Sequence, residues 1–267
     1  LDITLEFAGE VGGEPFACTD GGNDKVYAGL GTQSSSATIK DFRFYVSNIR
    51  LIDDVGNEVA LTLENNDFQL QDGDDHVALL DFEDGTGSCA GTGNTALNST
   101  VTGTVPDGTY TGVLFDVGVP FAMNHDDVAT ADTPLNIGAL YWAWAVGHKF
   151  MRIDYVVDGT PWNFHLGSTM CVSDGMDSPP SAECGRPNRP TVALDSFDHA
   201  TDTIVMDAAA IVADSDITQN LATMTPGCMS FPHDEADCTP LFPNFGMTYA
   251  SGACENDCAD QTVFTVE

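Results

Sequence analysis

Short segments in which apolar and polar residues alternate recur along this sequence, and they constrain its fold more than any other feature. In DFRFYVSNIRLI, residues 41–52, Phe42 and Phe44 fall on one side, whereas Arg43 and Ser47 fall on the other. This is the period of a strand with one buried and one solvated face. The same texture recurs in LDITLEF, EVALTL, HVALLDFE, GTYTGVLFDV, FMRIDYVV, WNFHLG, TVALDSF and DTIVMD, with Gly, Asp, Asn and Pro between the segments. The pattern predicts an all-β fold, an antiparallel β-sandwich or barrel.

Helix is expected to be scarce. The best candidate is MDAAAIVADSDI, Met206 to Ile217, which suits a short helix of a turn or two. Beyond about residue 218 the composition shifts to Pro, Cys, Met and Asp, which predicts an irregular, Cys-rich C-terminal lobe over residues 218–267. Residues 1–267 are expected to form a single β domain that includes this lobe.

Eight cysteines suggest long loops crosslinked by disulfides and an oxidising compartment. Three pairs lie close together in the sequence and two cysteines remain as a long-range pair, although eight cysteines allow about 105 connectivities. The candidates are Cys171 with Cys184, Cys228 with Cys238, Cys254 with Cys258, and Cys18 with Cys89. Zinc-thiolate spacing is present only in part, as one CxxxC, so disulfides are favoured over metal thiolates.

The charge balance excludes one class of partner. With 41 Asp and Glu against 8 Lys and Arg, the formal net charge of -33 repels nucleic acid. No apolar run approaches the length of a transmembrane helix, and the sequence begins directly with a strand-like segment. We therefore expect an exported protein, periplasmic or at the cell surface or secreted, whose signal peptide has been removed.

Two of the six histidines are candidates for a site. His125 follows a Pro and an apolar strand end, at the start of a loop, and His165 lies within a predicted strand. Imidazoles together with thioethers such as Met123 suit copper, especially Cu(I). Calcium is the competing metal because carboxylates are plentiful, but no EF-hand loop is present in the sequence. His76, His199 and His233 are interpreted as solvated surface residues.

The segment LYWAWAVGHKF, Leu140 to Phe150, contains two of the three tryptophans. From composition alone, Trp142 and Trp144 are interpreted as buried core aromatics. Considered together with the candidate histidines, they also become candidates for a functional site. In a strand the two rings share one face, as residues i and i+2 do. No nucleophile-and-base pattern typical of a hydrolase is found in the sequence.

Several motifs taken in order resemble one known family. They are DFRFYVSNIRLID, ALLDFEDGTGSC, VPDGTYTGVLFDVGVPFAMNHDD, PLN, LYWAWAVGHKFMRID, FHLGSTMC and CGRPNRPTVALDSFD. They resemble the MbnP family, the metallo-mystery-pair four-Cys-motif proteins, from about Phe7 to Cys238. This resemblance implies an exported copper-binding protein whose gene often lies beside that of a MauG-type diheme enzyme called MbnH. That partner oxidises a tryptophan of its MbnP to kynurenine, which joins histidines in binding copper.

The resemblance assigns roles to particular residues. His125 falls on the histidine of the family's PF-x-x-NH motif and His165 on that of FHLGST, so both are expected to bind copper. Trp142 and Trp144 fall on the W-x-W pair; Trp144 is favoured as the residue converted, with Trp142 as the alternative or as a relay. Met123 is an additional candidate ligand, and so is His148, which stands where the family usually has Tyr.

The sequence thus predicts a copper-binding protein that is not an enzyme but the substrate of a diheme, peroxidase-like partner, and that serves copper acquisition, storage or handling. The alternative is a calcium-stabilised extracellular β-sandwich that acts as a binding or adhesion module, without an oxidised tryptophan. Copper binding that depends on His125 and His165 discriminates between the two.

Overall fold

Alternation of buried and exposed residues is regular in the first strand, Asp2–Val11, where every second residue is buried. This computed structural model describes residues 1–91, 93, 95–222 and 224–267. Strands make up 42% of the structure and helix 11%. Each of the segments predicted to be strands forms one, because alternation lets a strand pack one face on the core.

The strands in chain order are β1 Asp2–Val11, β2 Glu14–Pro15, β3 Thr19–Asp20, β4 Asn23–Asp24, β5 Tyr27–Leu30, β6 Ser35–Asp53, β7 Glu58–Ala60, β8 Thr62–Leu63, β9 Gln69–Asp72, β10 Asp75–Asp81, β11 Thr100–Thr104, β12 Tyr110–Val117, β13 Tyr141–Ala143, β14 Gly147–His148, β15 Met151–Val157, β16 Thr160–Leu166, β17 Thr191–Asp195, β18 Thr203–Asp207, β19 Gly227–Cys228, β20 Met247–Thr248, β21 Ala253–Cys254 and β22 Phe264–Val266. The α-helices are α1 Phe121–Asn124, α2 Ala208–Ile211 and α3 Glu235–Cys238. Short 3-10 helices span Gly87–Cys89, Gly138–Leu140, Pro232–Asp234, Phe242–Phe245 and Asn256–Cys258.

Two large sheets form the sandwich. The first has the order β22-β18-β1-β11-β8, with β2 beside β1. The second has the order β17-β12-β6-β15-β16-β19, and strands β5, β7 and β10 also pair with β6. Both sheets are open, so the expected sandwich is confirmed. Pairing is mostly antiparallel, but β1 with β18 and β16 with β19 are parallel.

Aromatic side chains join the two sheets. Phe7 of the first sheet lies 6.3 Å from Phe44 and 5.8 Å from Phe115 of the second, between ring centroids. Phe264 of β22 contacts the same two rings at 5.7 Å and 5.5 Å. These edge-to-face contacts lie in one continuous apolar core, which therefore holds the sheets face to face.

The outer face of β6 is not solvated as the alternation predicts. Arg43, Tyr45 and Ser47 are all buried. The hydroxyl of Tyr45 donates to the carbonyl of Pro134 at 2.9 Å, which places the segment between β12 and β15 over this face. The prediction of a solvated face is wrong because a segment about 90 residues further along the chain covers it.

The predicted helix at 206–217 is shorter than expected. Met206 and Asp207 end strand β18, and only Ala208–Ile211 is α-helical. The side chain of Asp207 caps this helix by accepting from the N–H of Ala209 at 2.8 Å. His76 also differs from the prediction: it is buried in β10, where its Nε2 accepts from the N–H of Ile49 at 2.6 Å.

All eight cysteines are paired, as the spacing favoured: Cys18–Cys89, Cys171–Cys184, Cys228–Cys238 and Cys254–Cys258. Four disulfides are typical of proteins in oxidising compartments. The segment 218–267 contains short helices and strands, and its last strand, β22, pairs with β18 in the first sheet. Among the described residues, no helix is long and apolar enough to cross a membrane.

Candidate metal site

The short helix α1 positions His125 at its C-terminal end. The preceding residue, Asn124, fixes the neighbouring chain, because its Oδ1 accepts from the N–H of His148 at 2.8 Å. Gly147 lies directly against Asn124, and a Cβ at position 147 would come within 2.5 Å of the amide. The glycine therefore permits the close approach of α1 and strand β14 that presents His125.

The hydrogen bonds of His125 define which ring nitrogen is available. Its Nδ1 lies 2.8 Å from the carbonyl of Trp144, and a carbonyl can only accept, so Nδ1 carries the proton. Burial lowers the pKa of His125, which keeps the ring neutral at neutral pH. Nε2 then carries the lone pair and accepts from the amide N–H of Asn124 at 3.2 Å; it also lies 3.9 Å from Sγ of Cys184.

His165 has the opposite arrangement. Its Nε2 lies 2.6 Å from Oδ1 of Asp154, and burial lowers the pKa of the imidazole despite this carboxylate. The neutral ring therefore donates through Nε2 and carries its lone pair on Nδ1. This Nδ1 is buried and has no hydrogen-bond partner among the described residues. Because a buried acceptor without a partner is costly, this atom is a candidate ligand for a metal ion.

Asp154 is itself held in place by Arg152. The guanidinium donates to Oδ2 of Asp154 from Nη2 at 2.6 Å and from Nε at 2.9 Å. Burial tends to raise the pKa of Asp154, but the hydrogen bond from His165 and the Arg152 charge outweigh it, so the pKa is lowered and the group is ionised. A carboxylate that accepts from the far nitrogen of a histidine is the usual support of a histidine metal ligand.

The ion pairs continue under the covering segment. Nη1 of Arg152 lies 3.3 Å from Asp41, which also pairs with Arg43. Arg43 lies 3.5 Å from Glu83. We call these residues, Asp41, Arg43, Glu83, Arg152, Asp154 and His165, the buried ion network. It connects the candidate ligand His165 to the middle of the second sheet.

The two tryptophans occupy different positions. Trp142 lies in β13, and its ring packs against Phe231 with 5.0 Å between centroids. A Cβ at Gly167 would lie 2.4 Å from Cζ3 of Trp142, so this ring covers the backbone two residues after His165. Trp144 lies in the turn after β13 and contributes its carbonyl to His125. The expected shared strand face does not form, because β13 ends at Ala143.

The additional candidates are placed less favourably. Both ring nitrogens of His148 face backbone carbonyls, Nδ1 at 3.0 Å from Asn124 and Nε2 at 2.9 Å from Leu135. Met123 is buried in α1 and belongs to the hydrophobic core. It also lines a cavity of about 460 Å³ whose other lining residues include Asp126 and Asp127.

One group of three donor residues is found in the described part of the chain. A ring nitrogen of His125 and the Sγ atoms of Cys171 and Cys184 all lie within 4.8 Å of one another. The two sulfurs are joined as a disulfide, and a disulfide sulfur is a poor ligand because the thiolate is the metal-binding form. In the oxidised protein this group therefore offers one imidazole.

Sequence reasoning selected His125 and His165 as candidate ligands and missed Asp154. A signal was present: MRIDYVV carries Arg152 and Asp154 two residues apart in an otherwise apolar strand, so both charges point to one face. Opposite charges at this spacing are also common on solvated strands, and only the covering segment makes them part of a buried site.

A disulfide-linked β-sandwich with two neutral, lone-pair-bearing histidines is the class of protein that this fold and site define. The sequence matches the profile of the MbnP family over residues 1–230, so the chain belongs to the MbnP family. A solved structure, MbnP from Methylosinus trichosporium, is similar with a TM-score of 0.79 and 29% identity. The match covers 100% of this chain and 98% of that chain. A search of curated proteins gives no match.

Proposed function

We propose that this protein binds copper through Nε2 of His125, Nδ1 of His165 and a kynurenine formed from Trp142 or Trp144. The observation that carries this proposal is the buried, unpartnered Nδ1 of His165, held by Asp154. It is supported by the tautomer of His125, whose lone pair is on Nε2. Two imidazoles that are neutral without a metal can bind one without first losing a proton.

The donor set favours copper over hard cations. Imidazole suits copper, and the aryl amine and ketone of kynurenine replace an indole N–H that approaches metals poorly. Cu(I) accepts few ligands, which fits two histidines and one modified side chain. Calcium takes six to eight oxygen ligands. Among the described residues, no group of three carboxylates brings its oxygens within 4.8 Å of one another, which gives the calcium alternative no structural support.

The chain's own residues position the site. Asp154 and Arg152 fix the ring of His165, and the Trp144 carbonyl fixes the ring of His125. The protein is then a substrate rather than an enzyme: an exported diheme partner of the MbnH type supplies the oxidising chemistry that opens one indole. The ring of Trp142 lies against Gly167, two residues after His165, whereas Trp144 contacts His125 through its backbone carbonyl.

Copper titration of histidine variants tests the ligands. Protein from its native host is compared with His125→Ala, His165→Ala and the control His199→Ala, which lies in the turn between β17 and β18. We expect the first two to lose tight copper binding and the control to keep it. Equal affinity in all four proteins contradicts the proposal. A calcium-dependent rise in melting temperature that none of the variants removes would favour the alternative.

Intact and peptide mass analysis tests the modification. Protein coexpressed with a diheme enzyme of the MbnH type should gain the mass change of indole to kynurenine, located to the peptide that contains Trp142 and Trp144. Trp142→Phe and Trp144→Phe variants identify which residue is converted, because only one of them should abolish the change. Unmodified protein that binds copper as tightly as modified protein would remove kynurenine from the proposed ligand set while leaving both histidines in it.

A further inference from the structure

We propose that reduction of the Cys171–Cys184 disulfide creates a metal site of two thiolates and the His125 imidazole, for one soft or borderline ion. This goes beyond the proposed function, with which it shares only His125. The first observation is distance, since the three donor atoms lie within 4.8 Å of one another. In a tetrahedral site with metal–sulfur bonds of about 2.3 Å and metal–nitrogen bonds of about 2.1 Å, nitrogen and sulfur lie about 3.5 Å apart. The Nε2 of His125 is 3.9 Å from Sγ of Cys184.

The direction of the histidine lone pair is the second observation. Because Nδ1 of His125 donates to the Trp144 carbonyl, the lone pair is on Nε2, which is the nitrogen near Cys184. A disulfide sulfur carries no proton, so this contact is not a hydrogen bond. The metal-binding atom of the imidazole therefore lies near the sulfurs before any metal arrives, and an ion bound there displaces the hydrogen bond that Nε2 accepts from the Asn124 amide at 3.2 Å.

The backbone holds the two cysteines together independently of the disulfide. Thr169 and Arg186 exchange two backbone hydrogen bonds, at 2.9 Å and 3.0 Å, and the N–H of Gly185 donates to the carbonyl of Met170 at 3.1 Å. These contacts pair 169 with 186 and 170 with 185, so 171 and 184 are the next cross-strand positions. Reduced Cys171 and Cys184 would stay neighbours, and their sulfurs need only rotate apart to take up an ion.

Cys171–Cys184 is one of two disulfides with a partly exposed cysteine. Cys171 is half-buried, and the loop that it closes carries the exposed Val172 and Met176. The Cys18–Cys89 and Cys228–Cys238 disulfides are fully buried. Cys254 is also half-buried, but in the described part of the chain Cys254 and Cys258 belong to no group of three donor residues within 4.8 Å of one another. That disulfide is therefore the matched control.

The redox step balances with a dithiol reductant. The S–S bond between Cys171 and Cys184 breaks and takes up two electrons and two protons, while the dithiol donor loses them and becomes a disulfide. Metal binding then releases the thiol protons to solvent. In the reverse exchange the disulfide form of the donor takes back the two electrons, the Cys171–Cys184 bond forms again and the ion is released. The occupied state is thus reached only where such a reductant is present.

Cadmium titration tests the inference, because Cd²⁺ is redox-inert and thiolate binding gives an ultraviolet charge-transfer band. Full-length protein with unmodified tryptophans is reduced at limiting dithiol, desalted without oxygen and titrated. We expect one Cd²⁺ per chain, with an affinity at least about 100-fold above that of the oxidised protein. Mutating a residue that only supports a metal ligand lowers metal affinity by about 10–100-fold. Because His125 is proposed as a ligand itself, His125→Ala should lower the Cd²⁺ affinity by at least about 10-fold.

Cysteine variants locate the site. The Cys171→Ser/Cys184→Ser double variant should lose the band, whereas Cys254→Ser/Cys258→Ser should keep it. Equal binding by the first variant and the reduced wild type, or no effect of His125→Ala, would overturn the proposal. Thiol labelling of the wild type at limiting reductant gives a second measurement if a variant unfolds. Cd²⁺ should protect Cys171 and Cys184 from labelling and leave Cys254 and Cys258 labelled. The reverse pattern would equally overturn the proposal. Because the tryptophans are unmodified, the proposed copper function is not tested by this result.

Discussion

The two faces of the second sheet are both buried but have opposite chemistry. The inner face packs Phe44 and Phe115 against the rings of the first sheet. The outer face carries the buried ion network, under the segment between β12 and β15 that also contains Trp142 and Trp144. Apolar packing tolerates small adjustments, whereas a buried charge requires a partner in a defined place. The outer face is therefore the one that can fix an imidazole in one tautomer and orientation.

Removing a charge from the middle of the ion network should have the largest effect. Arg43→Met leaves Asp41 and Glu83 without the guanidinium that contacts both. Breaking a buried pair in this way costs about 3–5 kcal/mol, because the remaining charges are desolvated. Urea unfolding should show this loss of stability. A change below about 1 kcal/mol would mean that the outer face is no more sensitive than a solvated one.

The second-largest effect is expected from Asp154→Asn, which should lower copper affinity. Arg152 donates to Oδ2 of Asp154, so the asparagine oxygen is expected to take that side and its NH₂ to face His165. Nε2 of His165 must then accept, and the proton moves to Nδ1, the proposed metal-binding atom. We expect a loss of about 100-fold in copper affinity, equivalent to about 2.7 kcal/mol. Nitrogen NMR of the imidazole measures the tautomer directly, and an unchanged tautomer would contradict this role.

Asp81→Asn probes the pH dependence of the outer face. Burial raises the pKa of Asp81 to about 8 despite the nearby Arg43, and its Oδ2 has no hydrogen-bond partner among the described residues. Since the folded pKa lies above the unfolded value of about 3.9, the protonated form stabilises the fold at low pH. That contribution is lost as pH rises from about 4 to about 8, at about 1.4 kcal/mol per pH unit.

The variant should therefore be less sensitive to pH than the wild type across this window. Comparing the two proteins cancels the contributions of groups that are common to both. The free energy of unfolding, measured at several values between pH 5 and 8, gives the slope. Parallel curves for the two proteins would show that Asp81 titrates as an ordinary surface carboxylate.

The smallest effect is expected on the inner face of the same strand that carries Arg152 and Asp154. Ile153 is fully buried and pairs with Phe42 and Phe164. Ile153→Val removes one methylene and should cost about 0.5–1.5 kcal/mol. Copper affinity should not change, since the side chain points away from His165. A fall in affinity as large as that of Asp154→Asn would show that the two faces are not independent.

Local patterns were sufficient to predict every strand listed from the sequence, because alternation is a property of neighbouring residues. They were insufficient for the outer face of β6. Arg43 and Ser47 have the period of a solvated face, and their burial depends on Pro134 and its neighbours, far away in the chain. His76 was also predicted wrongly: it is buried, and its Nε2 accepts from the N–H of Ile49, 27 residues away in the chain. Burial by a segment that is distant in the chain does not change the local alternation of polar and apolar residues, so the alternation cannot predict it.

The candidate site shows the same division. His125 and His165 were selected from the resemblance of short motifs, but their available nitrogens depend on a carbonyl 19 residues from His125 and a carboxylate 11 residues from His165. The short span of β13 was also not foreseen. Because the strand ends at Ala143, Trp142 and Trp144 do not share a strand face. The four disulfides are the candidate pairs that spacing suggested, although spacing alone left the connectivity open.

The absence of a side chain at Gly167 determines where the Trp142 ring lies on the outer face. The backbone conformation of Gly167 does not require glycine, but any side chain at this position would begin 2.4 Å from the Trp142 ring. A single methyl group at position 167 would thus displace the Trp142 indole from its place beside the His165 segment. Every proposed ligand residue would still be present in the sequence. The absence of a side chain at position 167 therefore sets where the Trp142 ring can lie, and Gly167→Ala would move that ring without changing any proposed ligand residue.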